Sequence, residues 1–141
     1  MDKLKVFISD DSATIRKRLV TMVLDLPGMD VVGQAENATG SLAAIRQTRP
    51  DVLILDIRMP GGNGIEVLRE VKKLDPAPKV IMFTNYAHAQ YRKKCEELGA
   101  DFFLDKSTEF DRLPQALEQV RPGLTGRYGR RRPKPVSRRS S

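Results

Sequence analysis

Five times along the chain, a short apolar run rich in β-branched and aromatic residues gives way to a longer stretch whose apolar residues recur at helical spacing. The runs fall at residues 4–9, 30–36, 52–56, 79–84 and 101–105. This alternation predicts a parallel sheet wrapped by helices, because each strand can rejoin the same sheet edge only through a crossover. The third and fourth runs are almost unbroken in apolar residues, as central strands covered on both faces are. The predicted class is therefore α/β, with a five-stranded parallel sheet between two helix layers.

The intervening stretches carry their own start and stop signals. In the first, Ser12 is placed to cap a helix, and Ile15, Leu19, Met22, Val23 and Leu26 form one apolar stripe before Pro27-Gly28 ends it. Arg16, Lys17 and Arg18 fall on the opposite face. Further helices are predicted at 39–47, 64–74, 88–98 and 112–120. Gly99 is placed as a C-cap, and Pro114 lies early enough in the last helix to forfeit no internal hydrogen bond.

A chain of 141 residues has room for one core of ordinary size. No apolar stretch approaches the roughly 18 residues of a membrane span, and the N-terminus lacks a signal-peptide pattern, so a cytoplasmic location is expected. Cys95 is the only cysteine, which excludes an intramolecular disulfide. The net charge is +7, and its whole excess lies in Arg127, Arg130, Arg131, Arg132, Lys134, Arg138 and Arg139. Residues 1–121 are formally neutral and are read as one domain; residues 122–141, rich in glycine, proline and arginine, are read as a mostly disordered basic tail.

Four of the five predicted strands run into a reactive residue: the first into Asp10-Asp11, the third into Asp56, the fourth into Thr84, the fifth into Lys106. In a parallel sheet all four would share the C-terminal edge, where open α/β sheets bind ligands, with the second strand at the periphery. Three clustered carboxylates need a cation to stay ionised together. Oxygen-only ligands with no nearby histidine or cysteine favour Mg²⁺ or Mn²⁺ over zinc. Such a metal, the Lys106 ammonium and the Thr84 hydroxyl together suit the equatorial oxygens of a phosphoryl group in transfer to a carboxylate nucleophile.

The ordered set Asp10-Asp11, Asp56-Ile57-Arg58-Met59-Pro60-Gly61, Thr84, and Gly99-Ala100-Asp101 through Lys106 resembles the receiver domain of bacterial response regulators over about residues 4–121. The resemblance implies a flavodoxin-like doubly wound (βα)₅ fold with strand order 2-1-3-4-5. It implies that Asp56 is the phosphoacceptor, and that Asp11, Asp56 and the backbone carbonyl of Arg58 ligate Mg²⁺ while Asp10 acts on the metal through water. Thr84 and Lys106 would grip the phosphoryl oxygens, and Phe103 would be the switch aromatic that turns inward as Thr84 moves. Arg58 and Tyr86 match the family's variable positions beside the phosphorylation site, where this bulky pair is expected to tune the acyl-phosphate lifetime. The implied partner is a sensor histidine kinase or a phosphotransfer protein. Signalling would pass through the fourth helix, fifth strand and fifth helix of a monomer or a phosphorylation-dependent dimer, and the chain would catalyse only its own phosphorylation and dephosphorylation.

Two other functions compete. An enzyme with an aspartate nucleophile acting on phosphate esters would resemble haloacid dehalogenases, yet that pattern wants Asp-x-Asp, and here Arg58 stands two residues after Asp56. A nucleic-acid-associated regulator would bind nucleic acid or another anionic surface through residues 122–141. Elsewhere the plain readings stand. His88 has no partner for a metal site and starts a helix at the surface. Cys95 and Tyr91 fit the buried stripe of the fourth helix, and Gly61-Gly62-Asn63-Gly64 is a flexible turn, without the Gly-Lys-Ser/Thr of a phosphate loop.

Overall fold

The computed structural model describes residues 3–121; the basic tail read from the sequence lies outside the described residues. Five parallel strands, β1 (Leu4–Ser9), β2 (Met29–Ala35), β3 (Val52–Leu55), β4 (Lys79–Thr84) and β5 (Phe102–Asp105), form one sheet in the order β2-β1-β3-β4-β5. The helices are α1 (Ala13–Leu24), α2 (Ala38–Thr48), α3 (Gly64–Val71), α4 (Ala89–Glu97) and α5 (Leu113–Gln119), the last entered through a 3₁₀ turn at Phe110–Arg112. Only the first and fourth strands match their predicted limits at both ends; the second is displaced by one residue at both ends, and the third and fifth are each one residue shorter.

Strand periodicity sorts the core into two layers. Val6 and Ile8 of β1, Val52 and Ile54 of β3, and Ile81 and Phe83 of β4 face Leu19 and Val23 of α1 and Leu113 and Leu117 of α5. Their alternating neighbours Phe7, Leu53, Leu55, Val80 and Met82 face Ile45 of α2, Val67, Leu68 and Val71 of α3, and Cys95 of α4. Both sheet faces are thus dry, and every side chain of β3 is buried, as its unbroken apolar sequence requires. The ladder between β1 and β2 skips a residue: Val6 pairs with Val31 but Phe7 with Gly33. A Cβ at Gly33 would sit within 2.6 Å of the Phe7 ring, so the glycine makes room for that ring in the core.

The caps are largely those that the sequence supplies. The Ser12 side chain accepts the Ile15 N–H at 3.2 Å, and Asn37 accepts the Gly40 N–H at 2.6 Å. Gly99, at φ 99°, follows α4 in the left-handed conformation. The third helix is shorter than predicted: after Val71 the chain closes by i→i−3 bonds, Lys73 N–H to Glu70 O and Leu74 N–H to Val71 O, before Pro76. His88 precedes α4 at the surface, Cys95 is fully buried, and Tyr91 is half-buried against the same core layer.

Candidate functional site

The parallel ladder continues one residue beyond the strand ends, and this is what gathers the reactive residues. Asp10 N–H donates to Ala35 O at 3.0 Å, Asp56 N–H to Ser9 O at 3.0 Å, and Lys106 N–H to Thr84 O at 2.9 Å. The backbone of each is therefore pinned to the neighbouring strand, and the side chains converge on the C-terminal edge. Lys106 Nζ donates to Asp10 Oδ2 at 2.6 Å and to Asp56 Oδ2 at 2.8 Å. All three side chains are almost out of water, with 8% of Lys106, 2% of Asp10 and 7% of Asp56 exposed.

The remaining carboxylate oxygens are also held. Asp10 Oδ1 accepts the Ser12 N–H at 2.9 Å and Asp56 Oδ1 accepts the Ile57 N–H at 2.7 Å. Burial pushes the Asp10 carboxyl above the ordinary carboxylate range, against the opposing hydrogen bonds from Lys106 and Ser12. Burial works equally against the Lys106 ammonium, but its bonds to Asp10 and Asp56 outweigh that and hold its pKa above the ordinary lysine value. Asp11 is exposed, and its carboxylate lies with those of Asp10 and Asp56 in a group whose oxygens come within 4.8 Å of one another. One ammonium faces three carboxylates, so the cluster is short of positive charge. Its donors are all hard oxygens, which fits a divalent Mg²⁺ or Mn²⁺.

Thr84 is fully buried, and its Oγ1 accepts the Tyr86 N–H at 3.1 Å. Its own hydroxyl proton is thereby left to donate elsewhere. The Arg58 guanidinium lies over the Tyr86 ring, 4.7 Å from its centroid, so the two side chains form one unit. Phe103 is buried in the core layer of α2, α3 and α4.

Three contributors escaped the sequence reading. Arg16, placed with Lys17 and Arg18 on the outer face of α1, instead folds over the site and donates to Asp10 O at 2.6 Å, with Glu36 3.9 Å away. Nothing in the sequence distinguishes it from its basic neighbours. The stretch read as a flexible turn is a hydrogen-bonded element: Arg58–Met59 pairs antiparallel with Gly62–Asn63, and Asn63 and Glu66 close a capping box on α3. Gly64 then packs so closely on the chain at Asp56 that any Cβ would overlap the Asp56 carbonyl, while its N–H donates to Ile57 O at 2.6 Å. The third is a buried polar pair, the Ser9 and Ser41 hydroxyls 3.0 Å apart, which ties β1 to α2 just before the acidic residues.

The comparisons with known proteins agree with this geometry. The model of the response regulator receiver domain matches residues 6–118. The response regulator GacA of Pseudomonas aeruginosa is 31% identical over 120 residues, covering 85% of this chain and 56% of that protein. A protein-glutamate methylesterase/protein-glutamine glutaminase of Carboxydothermus hydrogenoformans is 34% identical over 139 residues, 97% of this chain but 40% of that protein. The chain thus spans about half the length or less of these curated relatives. Among solved structures, the response regulator domain of Thermotoga maritima CheB superposes with a TM-score of 0.74 at 32% identity, covering 84% of this chain and 93% of that one. A LuxR-family two-component response regulator from Aurantimonas gives 0.78 at 28%, covering 84% and 85%. With a receiver fold, an acidic cluster at its C-terminal edge and a family match over most of its length, this chain belongs to the response regulator receiver domain family.

Proposed function

We propose that the domain accepts a phosphoryl group on Asp56 from a phosphohistidine of a sensor kinase or phosphotransfer protein, the partners with which receiver domains work. The observation that carries this reading is the bridge from Lys106 Nζ to Asp10 and Asp56, at 2.6 and 2.8 Å on the C-terminal edge of the sheet. An Asp56 carboxylate oxygen attacks phosphorus, the P–N bond breaks, and its electron pair leaves with the imidazole; the product is an acyl phosphate. Ile57 N–H fixes the orientation of the nucleophile. Lys106 exchanges a carboxylate for a phosphoryl oxygen, and the free hydroxyl proton of Thr84 donates to another. Mg²⁺ or Mn²⁺, held by Asp10, Asp11, Asp56 and the Arg58 carbonyl, would neutralise the charge gathered on the phosphoryl oxygens. The Arg58–Tyr86 stack shields the acyl phosphate from attacking water, and Phe103 carries the change to the surface of α4, β5 and α5.

Intact-mass measurement after incubation with Mg²⁺ and a small phosphodonor tests the proposal. One phosphoryl adduct is expected on the wild type and none on Asp56→Asn; an adduct that survives the substitution sinks it.

The seven tail cations, with no acidic residue among residues 122–141, support a second role in binding a polyanion. Removing those residues should abolish salt-dependent retention on nucleic acid and leave phosphorylation intact.

A further inference from the structure

Arg92 lies on α4, where its expected partners are the carboxylates of a solvated helix face. Among the described residues it forms an ion pair with none of them. Its guanidinium instead lies over the Phe103 ring, 4.6 Å from the centroid, while Nη1 donates to the Phe103 carbonyl at 3.1 Å. The ladder explains why that carbonyl is available. Lys106 N–H points into the sheet at Thr84 O, so in a parallel strand Phe103, three residues earlier, turns its backbone polar groups to the open edge. One side chain thus satisfies the edge carbonyl of Phe103 and covers its ring; the residue is 7% exposed and lies in the same core layer as Met82 and Cys95. Neither contact involves the phosphorylation site.

We propose that Arg92 is a positioning residue that latches Phe103 inward through contacts independent of the phosphorylation site. Its consequence for signalling rests on the receiver reading: if the inward ring accompanies engagement of a phosphoryl group by Thr84, the latch lowers the energy of that state in advance. By linkage, the factor by which Arg92 favours the inward ring is the factor by which it strengthens binding of a phosphoryl mimic at Asp56. The latch therefore sets how far the α4–β5 surface has already moved toward its signalling form.

The test is fluorine NMR of the full chain labelled with 4-fluorophenylalanine, with Phe103 assigned through Phe103→Leu and the other four phenylalanines reporting that the fold is retained. In the wild type the Phe103 signal should show no H₂O/D₂O isotope shift. In Arg92→Ala it should move and acquire one, and beryllofluoride with Mg²⁺ should return it at about tenfold higher concentration than saturates the wild type. Arg92→Lys should behave as alanine, because an ammonium cannot both lie flat on the ring and reach the carbonyl. Should Arg92→Ala lose the fold, Arg92→Gln keeps a polar side chain on α4 but stops short of the Phe103 carbonyl, and it should give the same shift. An unchanged Phe103 signal in the substituted protein overturns the latch, as does a lysine variant identical to wild type. Failure of the receiver reading would look different: beryllofluoride would leave every wild-type signal unmoved, while the isotope shift would still decide where Arg92 holds the ring.

Discussion

Lys106 joins structure to the proposed chemistry in one residue. Its ammonium holds together two buried carboxylates that would otherwise repel. Lys106→Met should therefore cost about 3–5 kcal/mol in metal-free buffer, read by urea unfolding. Millimolar Mg²⁺ should restore more stability to this variant than it adds to the wild type, because the freed carboxylates then bind the ion without competition. Gly64 makes a different point. Its missing side chain lets α3 start against the Asp56 carbonyl, so Gly64→Ala should destabilise by about 1–3 kcal/mol and slow phosphorylation through displacement of the acceptor backbone. Arg58 is exposed and Tyr86 half-buried, so replacing both by alanine should change unfolding little and speed loss of the phosphoryl group several-fold, measured by mass decay after the donor is removed.

Among the elements, α3 is the one whose start is most heavily specified. Asn63 and Glu66 satisfy each other's backbone N–H groups at 3.1 and 3.3 Å, and Asn63→Ala should cost about 1 kcal/mol in denaturant unfolding with no change in the slope of the transition. This capping box also marks where reading the sequence stopped. Strands and helices were legible because period 2 and period 3.6 are written in the apolar residues themselves, as in Val52-Leu53-Ile54-Leu55 and the Ile15-Leu19-Val23 stripe. Asp10, Asp11, Asp56, Thr84 and Lys106 were legible because each ends or follows a strand, so topology alone brings them together. The Gly61–Gly64 segment was not, since its glycines serve a close approach to Asp56 that depends on where α3 docks. Arg16 and Arg92 were not, because each leaves the solvent face of its helix for a partner that is distant in sequence or on another element.

For the whole molecule, the core among the described residues runs from Leu4 to Leu117. A chain ending at Arg121 should keep one cooperative unfolding transition. Cys95 reports on that core. Burial pushes its thiol up to about 11, from 9.0 in the unfolded chain. Because the folded state holds this proton more tightly, the stability it contributes is full below pH 9 and is lost as pH rises toward 11. Wild type should therefore lose more stability over that window than Cys95→Ala, in parallel urea titrations. The hydrogen bond from Lys106 to Asp10 spans 96 positions and joins the first strand to the last. A chain still emerging from the ribosome without β5 has Asp10 and Asp56 but not the Lys106 ammonium that bridges them, and a molecule whose sheet edge has frayed is in the same condition. On the proposed reading, the ability to accept a phosphoryl group should therefore be lost together with the fold, and a damaged copy should fall silent instead of reporting falsely.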